Sequence, residues 1–115
     1  MCIRDSFYGV NFDLLDLAGT NLATTPVQGH FGRLDDMAGF ADVAAADQLR
    51  DSLPNVDAVY VYDDVGHAFM NDSPAPYPSF EARKEALGFV PFDERAATAA
   101  WKRLLDFYIA TLKRP

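Results

Sequence analysis

Ala58-Val59-Tyr60-Val61-Tyr62 is an unbroken apolar run, and four of its five residues are β-branched or aromatic. Such residues fit a pleated strand. A half-exposed strand alternates polar and apolar positions. A run without alternation belongs to a strand covered on both faces, the usual state in a parallel sheet. Parallel neighbours need long crossovers, most often helical, and the flanking sequence supplies one. Pro26 opens Val27-Gln28-Gly29-His30-Phe31, a second predicted strand. Residues 40–52 between the two strands predict a helix, with Val43, Ala46 and Leu49 or Gln48 near one face. Leu53-Pro54-Asn55 stops it.

The rest of the chain extends this pattern. Phe7-Tyr8-Gly9-Val10, closed by Asn11, reads as the end of another strand. Residues 12–25, with Leu14, Leu15 and Leu17, read as one helical turn inside a loop. After Tyr62 comes a long loop with Pro74, Pro76 and Pro78, then one or two helical turns over Glu81 to Leu87. Residues 93–113 predict the longest helix, with Asp93 as N-cap after Pro91. Ala97, Trp101, Leu104, Leu105, Tyr108 and Leu112 fall on one apolar stripe. Lys113 and Arg114 stand at its end, where the helix dipole favours cations. Strand, strand, helix, strand, helix predicts an α/β chain of three mostly parallel strands with flanking helices. There is no internal repeat and no sign of a second domain.

Charge and composition remove several function classes. The 115 residues carry a net charge of -7, which argues against nucleic acid and anionic membranes as partners. No apolar run approaches the roughly 20 residues of a membrane span. Met1-Cys2-Ile3-Arg4-Asp5-Ser6 lacks the apolar stretch of a signal peptide. Cys2 is the single cysteine, so an intrachain disulfide and a zinc-thiolate site are excluded. A reducing, cytoplasmic home is the expectation. No glycine-rich phosphate loop is present, no metal-ligand spacing involves the two histidines, and no cofactor is expected.

The candidate chemistry lies in two loops. In open α/β sheets, functional residues follow the C-terminal ends of strands. Asp35 follows the strand ending at Phe31, and His67 follows the strand ending at Tyr62. If the strands are parallel neighbours, both side chains reach one edge. The carboxylate can then accept the imidazole Nδ1 proton, and Nε2 can serve as a base. Gly66 is expected to let the backbone turn tightly before His67. The alternative is a non-catalytic α/β module in which Asp35 and His67 are incidental loop residues. Asp36 could take the place of Asp35. His30, inside a strand, reads as structural. Asp63 and Asp64 end a strand as phosphoacceptor carboxylates do, but the further strands such a domain needs do not follow. Tyr60, Tyr62, Trp101 and Phe107 read as core.

Four segments carry a family resemblance. Thr25-Pro26-Val27-Gln28-Gly29-His30-Phe31-Gly32-Arg33-Leu34-Asp35-Asp36 resembles the penultimate strand and acid loop of the dienelactone hydrolase family of α/β-hydrolases. Tyr62 to Phe69, with Gly66-His67-Ala68-Phe69, resembles its histidine loop. Ala99-Ala100-Trp101 with Phe107 resembles its last helix. Phe7-Tyr8-Gly9 resembles the end of the strand before the acid strand. The resemblance implies the C-terminal part of an α/β-hydrolase fold over residues 7–115, with Asp35 as triad acid and His67 as base. It implies an ester or lactone as substrate. The family's nucleophile is a cysteine in a G-x-C-x-G elbow, or a serine in G-x-S-x-G. Cys2, Ser6, Ser52, Ser73 and Ser79 all lack the flanking glycines. The nucleophile is therefore expected in a missing N-terminal half of the same domain. Residues 1–6 fit neither the family nor a strand and read as a foreign leader. Members that act on the diene lactone itself hold its carboxylate with arginines, one shortly after the histidine. Met70 and Asn71 occupy that stretch here.

Overall fold

β-Branched and aromatic runs separated by a helical crossover do meet in one sheet. The computed structural model describes residues 4–7, 25–38, 40–52 and 56–112. Strands β1 (Arg4–Phe7), β2 (Val27–Gly32) and β3 (Val56–Tyr62) lie in the order β1-β2-β3, and both pairings are parallel. The helices are α1 (Val43–Ser52), α2 (Phe80–Leu87) and α3 (Glu94–Leu112).

Every residue of β2, the central strand, is buried. On one side Val27 and Phe31 pack with Ala45, Ala46 and Leu49 of α1, joined by Val59 and Val61. A second cluster joins Tyr62, Val65 and Phe69 to Ala100 of α3. Ala58 to Tyr62 is contacted on both faces, as its lack of alternation anticipates, but at the end of the sheet only Tyr62 is buried and the other four are half-buried.

Three features differ notably from the sequence reading. The first strand is Arg4–Phe7, whereas Phe7 to Val10 was the expected strand end and Arg4-Asp5-Ser6 was expected outside any strand. Arg4 pairs with Val27 and Phe7 with His30. At the edge of this sheet a strand is held by backbone hydrogen bonds and tolerates polar residues, so hydrophobicity was a poor guide. Residues 8–10 and the turn expected within 12–25 lie outside the described residues, apart from Thr25. Helix α1 starts at Val43 rather than at residue 40 because Asp42 caps it, its carboxylate accepting the Ala45 N–H at 2.9 Å.

The third difference is the face of α3. Asp93 does cap the helix, accepting the Ala96 N–H at 2.8 Å. The buried positions, however, are Ala97, Ala100, Leu104, Phe107 and Thr111. Trp101, Leu105 and Leu112 are more than half exposed, together with Ile109. Apolar residues occupy more than half of this helix's circumference. The small Ala97 and Ala100 let the backbone approach the sheet, and that selects the buried face. Thr111 is tolerated there because its hydroxyl donates to the Phe107 carbonyl at 2.7 Å. Trp101 is thus an exposed ring and not the core residue expected. Lys113 and Arg114 lie outside the described residues.

Candidate active site

Gly32 and Tyr62, the last residues of β2 and β3, are register partners, so the chain leaves both strands at one edge. The two loops are then tied together by backbone. The Arg33 N–H donates to the Tyr62 carbonyl and the Leu34 N–H to the Val65 carbonyl, each at 2.9 Å. The Arg33 guanidinium also meets Asp63 at 2.6 Å, but both side chains are exposed. Such a pair contributes little in water. Contact is close because residue 32 is glycine. A Cβ there would stand 2.6 Å from the Val65 carbonyl oxygen and 2.7 Å from that of Gly66. Both obstacles are backbone and cannot rotate away. Gly32→Ala is expected to lower the unfolding free energy by roughly 2–3 kcal/mol, read as a lower urea midpoint at unchanged m-value.

Within this frame the His67 Nδ1–H donates to Asp35 Oδ2 at 2.8 Å. The second oxygen, Oδ1, accepts the Met37 N–H at 3.0 Å. The Asp35 side chain is 1% exposed and that of His67 20%. An ionised carboxylate can only accept. It therefore fixes the tautomer with the proton on Nδ1, which makes Nε2 the basic nitrogen. One ring position is oriented by a buried acid and the ring retains access to solvent, an arrangement suited to moving a proton.

The histidine loop turns elsewhere than expected. Its left-handed residue is Ala68, at φ 60°, and not Gly66. A non-glycine residue there costs about 1 kcal/mol, a strain placed directly after His67. Gly66 serves close approach instead: a Cβ on it would meet Val90 Cγ2 at 3.2 Å and the Leu34 carbonyl oxygen at 3.4 Å. The Phe89 ring lies 4.8 Å from the imidazole, centroid to centroid.

The other candidates stand apart. Asp36 is exposed, and Asp35 is the carboxylate on His67. His30 is fully buried; its Nε2–H donates to Gln28 Oε1 at 2.7 Å, and its Nδ1 accepts from the Tyr62 hydroxyl at 3.0 Å. Asp63 and Asp64 are exposed at the end of β3. Cys2 lies outside the described residues, and Ser6 is in β1. Ser52 donates to the Gln48 carbonyl, Ser73 accepts the Ala75 N–H, and Ser79 accepts the Ala82 N–H. Among the described residues no three His, Cys, Asp or Glu side chains converge as a metal site, and no helix is long and apolar enough to cross a membrane.

Sequence reasoning missed Phe89, Val90 and the polar cluster around Tyr62. Gly88 ending a short helical run was the available signal for a chain reversal, but nothing marked where the next residues would pack. Burial raises the Tyr62 phenol above its usual 10.0, against the hydrogen bond and charge of Arg103. A raised pKa means the folded state holds the proton after the unfolded chain releases it. That contribution is complete below pH 10.0 and is lost as pH climbs through the folded value. Unfolding free energy is expected to fall more steeply above pH 10.0 in the wild type than in Tyr62→Phe, measured by urea titration across that range.

A family model described as "Dienelactone hydrolase family" matches residues 5–112. No curated protein matches the chain.

Proposed function

Because the chain belongs to the dienelactone hydrolase family, whose members have an α/β-hydrolase fold, we propose that it carries the acid and base of an ester or lactone hydrolase. The matched residues 5–112 are then the C-terminal part of one α/β-hydrolase domain. The observation that carries this reading is the 2.8 Å bond from His67 Nδ1 to a buried Asp35. In the reaction, the nucleophile's proton passes to His67 Nε2 as the nucleophile attacks the ester carbonyl. Asp35 orients the imidazole and stabilises its charged form. His67 then returns the proton to the leaving alcohol, and water completes the cycle through the same base.

The nucleophile is a cysteine or serine on a segment outside these residues. Its backbone N–H groups would also hold the oxyanion. Ser52, Ser73 and Ser79 are engaged in a helix back-bond, a turn and a helix cap. Neither Met70 nor Asn71 offers a positive charge to a substrate carboxylate, which favours neutral esters over the diene lactone. A cytoplasmic location accords with the single cysteine.

The test is complementation. The chain alone is expected to show no turnover of a nitrophenyl ester above background. Co-expressed with the nucleophile-bearing N-terminal half of a family member, it should gain esterase activity that His67→Ala removes. If the chain alone is active and Cys2→Ala abolishes that turnover, the missing-nucleophile reading is wrong. If the complemented, folded pair stays inactive, the pair at Asp35 and His67 is incidental and the chain is a non-catalytic module.

A further inference from the structure

Taking Asp35 and His67 as acid and base, we infer that Arg83 is a positioning residue for His67 and acts through Phe89 and Val90. Arg83, on α2, is a buried guanidinium, 4% exposed. No ion pair among the described residues includes it. Its Nε is buried without a hydrogen-bond partner. Its Nη2 donates a long 3.4 Å bond to the Val90 carbonyl. Burying a cation without a carboxylate is unfavourable, so its place requires another account. Aromatic faces provide one. The guanidinium carbon lies 4.9 Å from the Phe80 ring centroid and 5.9 Å from that of Phe89. A planar, weakly hydrated cation stacks on such faces as an ammonium does not.

The chain path connects this bracket to the base. Ser79 starts α2 and Gly88 ends it in the left-handed region at φ 76°, returning its own N–H to the Lys84 carbonyl at 2.7 Å. The reversal carries Phe89 and Val90 onto the histidine loop. The Phe89 ring stands beside the imidazole, tilted by 49° with centroids 4.8 Å apart. Val90 fills the space beside Gly66, where a Cβ would meet it at 3.2 Å. The two residues that Arg83 holds thus press on two consecutive residues of the loop. Phe80 is itself stacked on Phe92 at 6.4 Å, which secures the far side. The Asp35 bond fixes one atom of the imidazole, and the Phe89 wall limits the swing of the ring about it. A proton-transfer group displaced by about 1 Å can lose 100-fold in rate.

The experiment follows the His67 Nδ1 proton by NMR in the 15N-labelled 115-residue chain. Its bond to Asp35 moves this proton to low field and slows its exchange with water. The controls are the Arg33 and Leu34 amide protons, which donate to Tyr62 and Val65 in the same loops. Arg83→Met is expected to speed imidazole-proton exchange roughly tenfold, the scale of one partly desolvated cation–π contact, and to leave both amides unchanged. Arg83→Lys keeps the charge without the planar face and should recover part of the protection. Phe89→Leu should act as Arg83→Met does, and it decides alone if Arg83→Met fails to fold. Equal acceleration of the amides would make Arg83 merely structural and overturn the inference. So would unchanged imidazole exchange in the folded variants. A wild-type chain without a protected low-field His67 proton would overturn both this inference and the acid–base reading beneath it; protection that the variants leave intact overturns the inference alone.

Discussion

Asp35→Asn in the complemented enzyme is expected to lower kcat by about 10,000-fold, the loss known for removing the charge from a triad acid while keeping its shape. Asparagine would fit the site and still accept the Met37 N–H that Asp35 Oδ1 takes at 3.0 Å. It could also turn its amide N–H toward His67, and the imidazole would then hold its proton on Nε2. That tautomer cannot take a proton from the nucleophile. Asp36 is exposed and is not the carboxylate on His67. Asp36→Asn should leave the rate unchanged. Steady-state kinetics on one activated ester, with active sites counted by a covalent inhibitor, separates the two. A loss of less than about tenfold for Asp35→Asn is far below what a triad acid supplies and would remove Asp35 from that role.

Phe31→Ala is expected to have the largest effect on stability, about 3–5 kcal/mol. Phe31 is fully buried and packs with Val27, Ala45, Ala46 and Leu49. Its partners come from β2 and α1, so the void cannot close without moving the crossover against the sheet. A loss of this size is a large share of the 5–15 kcal/mol of a typical domain. It should appear as a large fall in the urea midpoint. A fall equivalent to less than ~1 kcal/mol would mean the core repacks freely.

The sequence was most legible where burial is symmetrical. Ala58 to Tyr62 lacks alternation, and β3 is found against α1 on one side and α3 on the other. Asp93 was equally readable, because capping depends on neighbours in sequence; α1 ends at Ser52, and the expected stop at Leu53-Pro54-Asn55 lies outside the described residues. The approach of Asp35 to His67 could be anticipated because a parallel pairing places both loop starts at one edge. What could not be read depends on choices between nearly equivalent arrangements. Helix α3 has apolar residues on two faces, and only contact with the sheet decides which is covered. Strand β1 is polar and is held through its backbone. Gly66 drew attention as a turn residue, whereas the left-handed position fell on Ala68 and Gly66 served close packing. Arg83, Phe89 and Val90 come from beyond the proline-rich loop, and no local pattern fixes where such a segment returns.

The parallel pairing of β2 with β3 also sets an order of events during folding. A hairpin would let the two loops meet as soon as a short turn closed. Here the chain must first run through α1 and return, a larger closure whose entropy is lost before any contact compensates for it. Asp35 is synthesised well before His67, and its carboxylate waits in water until β3 docks. The contact between Asp35 and His67 can form only after that docking, and its appearance marks the moment when the sheet has closed.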